Sequence, residues 1–165
     1  MSKLVSNTSI RDLIMKYGHD IINSPGMRLE KRFIQHGNVT CYDHSLSVTY
    51  MSIWIATKLK IKVDMRSLIR GALLHDYFLY DWHIPDKSHR LHGFHHANTA
   101  LKNAKRDFTI NEIEENIILT HMFPLNLRIP KYRESVIVNL ADKICALCEV
   151  FNFNFYKHMT SLEVK

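Results

Sequence analysis

Apolar residues recur at helical spacing along almost the whole 165-residue chain, and that pattern decides the fold class. Ile10, Leu13, Ile14, Tyr17 and Ile21 mark a first helix over Ser9 to Ile22, ended by Pro25-Gly26. A short helix is expected over Met27 to Gln35, stopped by Gly37. Tyr42 to Lys60 carries a wide apolar face of Leu46, Tyr50, Ile53, Trp54 and Ala56, as a central helix requires. Asp64 is placed to cap Met65 to Tyr77, whose buried face is Leu68, Ile69, Ala72, Leu73 and Leu74. Phe94 to Lys105, Asn111 to His121 and Tyr132 to Phe151 complete the helices. The second of these opens on Glu112, Glu114 and Glu115, where the helix dipole favours acid. Tyr80 to Gly93 and Met122 to Tyr132 read as loops. Strand-like alternation is too scarce for a sandwich, and five glycines and four prolines are too few for a loop-rich chain. The expectation is one all-α domain around one core.

Composition narrows the setting. No run of 18 apolar residues exists, so no membrane span is expected. The N-terminus lacks the apolar stretch of a secretory signal, and three cysteines without export signals suit a reducing, cytoplasmic compartment. A net charge of +6 favours anionic partners. The positive residues are scattered, with no helix-turn-helix signature and no basic stripe, which disfavours nucleic acid and leaves phosphate.

Eleven histidines are the oddity, and His75, His83, His89, His92, His95 and His96 fall close together. His75-Asp76 closes the apolar run Gly-Ala-Leu-Leu-His-Asp (71–76). A carboxylate buried there without a partner costs several kcal/mol, so a cation is its natural compensation. His19-Asp20, on a polar stretch before Pro25, reads as solvated. His44 lies in the first turn of the central helix. His121 follows Ile117, Ile118 and Leu119, and Asp142 lies inside Val-Asn-Leu-Ala-Asp-Lys (138–143). Any one of these reads as a satisfied core group; all of them on core helices point to a shared metal centre. Imidazole and carboxylate without thiolate suit Mn, Fe, Co, Ni or Zn rather than Ca.

The order His … His-Asp … His … His … Asp on a helical chain resembles the HD-domain superfamily of metal-dependent phosphohydrolases. The stretches Phe-Ile-Gln-His-Gly (33–37), His-Asp-Tyr-Phe-Leu-Tyr-Asp-Trp-His (75–83), His-Gly-Phe-His-His-Ala (92–97) and Ala-Asp-Lys (141–143) look like a small bacterial branch of unassigned substrate. The resemblance runs from about Phe33 to Glu149. It implies a single compact helical HD-type domain with a buried metal site: residues 1–32 an N-terminal helical extension, 33–150 the metal-binding core, 151–165 a tail. It also implies one or two divalent transition metal ions. His44, His75, Asp76 and Asp142 match the ligands of a primary ion. Where two ions bind, Asp76 bridges, and the second takes His121 and a histidine of the middle cluster. His96 matches that place best; His92, a helical turn earlier, could reach the same spot, and His95 would point about 100° away. Ala97 stands where related branches often have Pro.

The implied reaction is hydrolysis of a phosphate ester of a small molecule, a nucleotide among the candidates, by metal-activated water. Asp76, His83 and Lys143 are the catalytic candidates, Lys143 because it follows a ligand and His83 as a proton donor on the loop. Two alternatives stay open: a two-iron, oxygen-activating HD enzyme, and a non-catalytic helical module binding nucleic acid or nucleotide. The expected partner is a small phosphorylated substrate, with no membrane; self-association is left open. The Tyr80–His92 and Met122–Lys131 loops are expected to border the pocket, with Lys87, Arg90, Arg128, Lys131 and Arg133 flanking it in sequence. Cys145-x-x-Cys148, on a helix with no second pair, reads as core thiols.

Overall fold

A computed structural model describes residues 9–84 and 92–151, with nothing placed for the side chains of His92 and Phe94. The helices are α1 (Ile10–Ile22), α2 (Pro25–Glu30), α3 (Cys41–Lys58), α4 (Met65–Leu74), α5 (His92–Asp107), α6 (Glu112–Thr120) and α7 (Arg133–Val150). Two short strands, β1 (Ile34–His36) and β2 (Val39–Thr40), pair antiparallel between α2 and α3.

Side-chain caps set most of the helix starts. Ser9 and Asp12 form a capping box on α1, and Asn111 and Glu114 form another on α6. Asp64 accepts from Ser67 N at 2.7 Å, the cap expected for α4. The short second helix is corrected. It begins at Pro25, where Ser24 accepts from Met27 N and proline's fixed φ suits a first turn. It ends at Glu30, and the chain then forms a hairpin whose turn needs Gly37 at φ 56°.

At the centre lies α4, every residue from Ser67 to Leu74 buried. It packs against α1, α3, α6 and α7. At Gly71 a Cβ would stand 2.4 Å from Ile117 Cδ1, so the glycine sets how closely α6 approaches. Around α4 lie Ile14 and Ile21 of α1, Val48 and Ile53 of α3, Ile117 and Ile118 of α6, and Val138 and Ala141 of α7, all in one core. The first helix is therefore part of the same packed unit. α3 is also central, its burial running round most of its circumference, but Trp54 is turned outward and leaves the face assigned to it. Among the described residues no helix is long and apolar enough to cross a membrane.

Candidate metal centre

Two helices end at the same place. His75 is the C-cap of α4 and His121 the C-cap of α6. Each ring donates Nδ1–H to the carbonyl three residues back, Ala72 and Ile118, both at 2.7 Å. That bond uses a terminal carbonyl the helix leaves unpaired, and it turns the Nε2 lone pair toward the cluster. The chain beyond each end is clamped by an asparagine. Asn103 donates to Tyr77 O and Phe78 O at 3.1 and 3.0 Å; Asn139 donates to His121 O and Phe123 O at 2.6 and 2.8 Å.

Asp76 stands between two sets of rings. Its Oδ1 lies 3.2 Å from His96 Nε2 and 3.3 Å from His121 Nε2, and those nitrogens are 2.8 Å apart. Its Oδ2 lies 3.5 Å from His75 Nε2 and 3.8 Å from His44 Nε2. Asp142, from α7, reaches the latter set, its Oδ1 3.0 Å from His44 Nε2 and 3.7 Å from His75 Nε2. All six side chains are buried.

Atoms bound about 2.0–2.1 Å from one ion at tetrahedral to right angles stand about 2.8–3.4 Å apart. The triangle of Asp76, His96 and His121 has those edges, and the His44, His75, Asp76 and Asp142 set is somewhat wider. His75 Nε2 and Asp76 Oδ1 are also buried without a hydrogen-bond partner, two lone-pair positions that a cation would satisfy. The residues present therefore fit one or two divalent ions, with Asp76 offering one oxygen to each set.

The electrostatics divide along the same line. Burial works against a charged His44, yet hydrogen bonds with Asp142 and Glu149 outweigh it and hold the imidazolium well above the ordinary histidine range. For His75 burial is likewise overcome, chiefly by the Asp76 charge, and its pKa is raised. Asp142 is lowered despite its burial, through His44 and His75. Asp76 is lowered well below the carboxylate range, burial being outweighed by His75, then His121 and His96. His121 goes the other way: burial lowers it, only partly opposed by Asp76.

The structure thus brings His44, His75, Asp76, His96, His121 and Asp142 together. His95 is exposed, as its turn from His96 implies. The side chain of His92 lies outside the described residues, as do Lys87, His89, Arg90 and the tail after Phe151. His83 is not brought in: its ring is exposed, against Trp82 and 3.2 Å from Asp81 Oδ1. Lys143 is half-buried beside the cluster and donates to His121 O at 3.3 Å; burial lowers its pKa. Arg128 is spent on Asn98 Oδ1, away from the cavity. Asp20 of the second His-Asp pair is exposed and takes Arg70 at 2.7 Å. Cys145 is a buried thiol and Cys148 a half-buried one, neither in a disulfide.

Two neighbours escape the sequence reading. Glu149 holds His44 Nδ1 with both carboxylate oxygens, at 2.9 and 3.0 Å. It lies seven residues after Asp142, two helical turns along one face, a spacing that would have found it. Gln35, on β1, donates Nε2–H to Asp76 Oδ2 at 2.5 Å and accepts from Cys41 Sγ at 3.2 Å, which fixes its amide orientation. Nothing local marks it, because the hairpin delivers it.

Above the cluster opens a cavity of about 640 Å³, floored by Asp76, His96 and Asp142. Trp82 on one expected loop and Met122, Pro124 and Leu125 on the other line it.

A family model described as HD domain matches residues 41–147. No curated protein and no solved structure matches the chain. The match covers well over half of the sequence, and the chain belongs to the HD-domain family, whose members bind divalent metals and are mostly hydrolases.

Proposed function

From that membership we propose that the chain hydrolyses a phosphate ester of a small molecule at one or two divalent ions held by His44, His75, Asp76, Asp142, His96 and His121. The observation that carries the reading is the placement of Asp76, one oxygen toward each histidine set, with its Oδ1 buried and unpartnered. Bound ions would lower the pKa of water toward about 7 and offset charge on the phosphoryl oxygens.

The chain's own groups do the rest. His75 and His121 keep their Nε2 atoms aimed because their Nδ1–H bonds go to backbone carbonyls. Glu149 orients His44, and Gln35 restrains Asp76 Oδ2. Lys143 lines the cavity next to Asp142, where its ammonium can pair with a phosphoryl oxygen. His83, expected as a proton donor, has its ring exposed against Trp82 and outside the described lining of the cavity. Three cysteines outside any disulfide accord with a cytoplasmic setting.

Elemental analysis of the purified full chain, followed by phosphate release with the ion found, tests the proposal. One to two transition-metal ions per chain and chelator-sensitive phosphate release are expected. A metal-free protein with undiminished activity would overturn it, and two irons with oxygen uptake would move the reading to the oxidative alternative.

A further inference from the structure

The cavity says something about the substrate's other half. Resting on the phosphohydrolase reading, we infer that the substrate is a phosphate monoester whose alcohol portion is an apolar ring, seated between Trp82 and the Met122–Leu125 loop.

Three observations lead there. The cavity of about 640 Å³ is of small-molecule size, far more than a phosphoryl group fills. Its described lining is of two kinds: the polar cluster with Gln35 and His36 beside it, and an apolar wall of Trp82, Met122, Pro124, Leu125 and Ala146 that makes up most of the exposed surface. Lys143 is the one lysine or arginine among the described lining residues. A monoester's oxygens are met by the cluster and Lys143, whereas further phosphates would lie against described lining that offers no second lysine or arginine. A sugar or glycerol portion fares no better. Each hydroxyl placed on that wall gives up its hydrogen bonds to water with no partner in return. An apolar ring loses nothing there and covers Leu125, which stands half-exposed at 50 %.

The wall is also held in place. Asn139 fixes the chain at His121 and Phe123, immediately before Pro124 and Leu125, and Lys143 bonds His121 O. The surface is therefore built on α7, the helix that also carries Asp142.

The test uses the full chain loaded with the ion found on it. kcat/KM is compared for 1-naphthyl phosphate, glycerol phosphate and ATP, in wild type, Leu125→Asp and Val136→Asp. Val136 is exposed on α7 and does not line the cavity. The aryl ester is expected to lead by about tenfold to a hundredfold, a gap set by apolar contact. Leu125→Asp should raise KM most for that ester and erase most of its lead over the other two. Val136→Asp should match wild type. Equal kcat/KM across the three, or a lead for ATP, overturns the inference.

Calorimetry with 1-naphthylphosphonate and methylphosphonate separates the two levels of the reading. If no ester is turned over but the naphthyl compound binds more tightly and Leu125→Asp abolishes the difference, the cavity assignment stands and the hydrolase reading falls. Equal binding of both phosphonates overturns the cavity assignment itself.

Discussion

On one side of Asp76, His44 has a carboxylate at each ring nitrogen, Asp142 at 3.0 Å and Glu149 at 2.9 Å. On the other, His96 and His121 face each other's Nε2 at 2.8 Å and share a single carboxylate oxygen. The first side can be held together by protons when no metal is bound, because its acids raise His44 and His75. The second has no such charge on His121, whose pKa burial lowers, and is joined by the single hydrogen bond between the two Nε2 atoms. A single cluster thus contains a position where an ion would compete with the proton of a charged imidazole and another where it would meet a neutral His121 hydrogen-bonded to His96.

The comparison is broken most directly at its shared element. Asp76→Ala should remove the metal from both sides and lower kcat/KM by about a thousandfold or more, as loss of several kcal/mol of charge stabilisation implies. His121→Ala should remove one ion and leave the other on the His44 side. Elemental analysis of both variants decides the matter, and a His121→Ala protein stripped of all metal would show that the sides are not separate.

A smaller effect sharpens the contrast. Glu149→Gln should weaken one ion by about tenfold to a hundredfold and leave the other in place. The pH dependence follows from the directions of the shifts. A raised His44 stabilises the metal-free fold fully below its ordinary value of about 6.5, and that contribution is lost as pH rises through the raised value. Metal affinity on that side should climb with pH as the competing proton leaves, and in Glu149→Gln the climb should begin at lower pH. On the other side burial lowers His121 below its ordinary value of about 6.5, so affinity there should depend much less on pH above neutrality. Titration calorimetry from pH 6 to 9 would show two slopes; one common slope would erase the distinction.

The smallest effect lies just behind the cluster. Glu30 is fully buried, both carboxylate oxygens lack a hydrogen-bond partner, and burial, helped by the Asp76 charge, raises its pKa well above the carboxylate range. The folded protein keeps a proton there that the unfolded chain releases above about pH 4.3. Stability from this group is complete below that pH and falls as pH rises through the raised value. Glu30→Gln cannot lose that proton, so its Tm should gain on wild type between pH 5 and pH 8 in metal-free protein. A constant Tm difference across that range would place the proton elsewhere.

How much of this was legible in the chain varies with the range of the interaction. α1, α3, α4, α6 and α7 follow from local apolar spacing and caps, and their observed ends lie close to the expected ones. His44, His75, Asp76, His121 and Asp142 were visible because each ionisable residue interrupts an apolar helix. The region from Pro25 to Thr40 was misread. Pro25 reads locally as a stop although a proline starts a helix equally well, and Gly37 as a helix end although it turns a hairpin. With the hairpin went Gln35, whose contact with Asp76 spans 41 positions and has no local signature. Trp54 shows a related failure: apolar spacing says which residues could be covered, and tertiary packing decides which are.

The two Nδ1–H bonds from His75 and His121 to carbonyls of their own helices bear on how fast an ion is captured. Fixing a free side chain at the moment of binding costs about 0.5–1.5 kcal/mol in lost rotamer freedom. Here that entropy is surrendered once, when α4 and α6 form their last turns, and not at each encounter. The two rings would already be oriented when an ion arrives, so its capture would not have to wait for them to order.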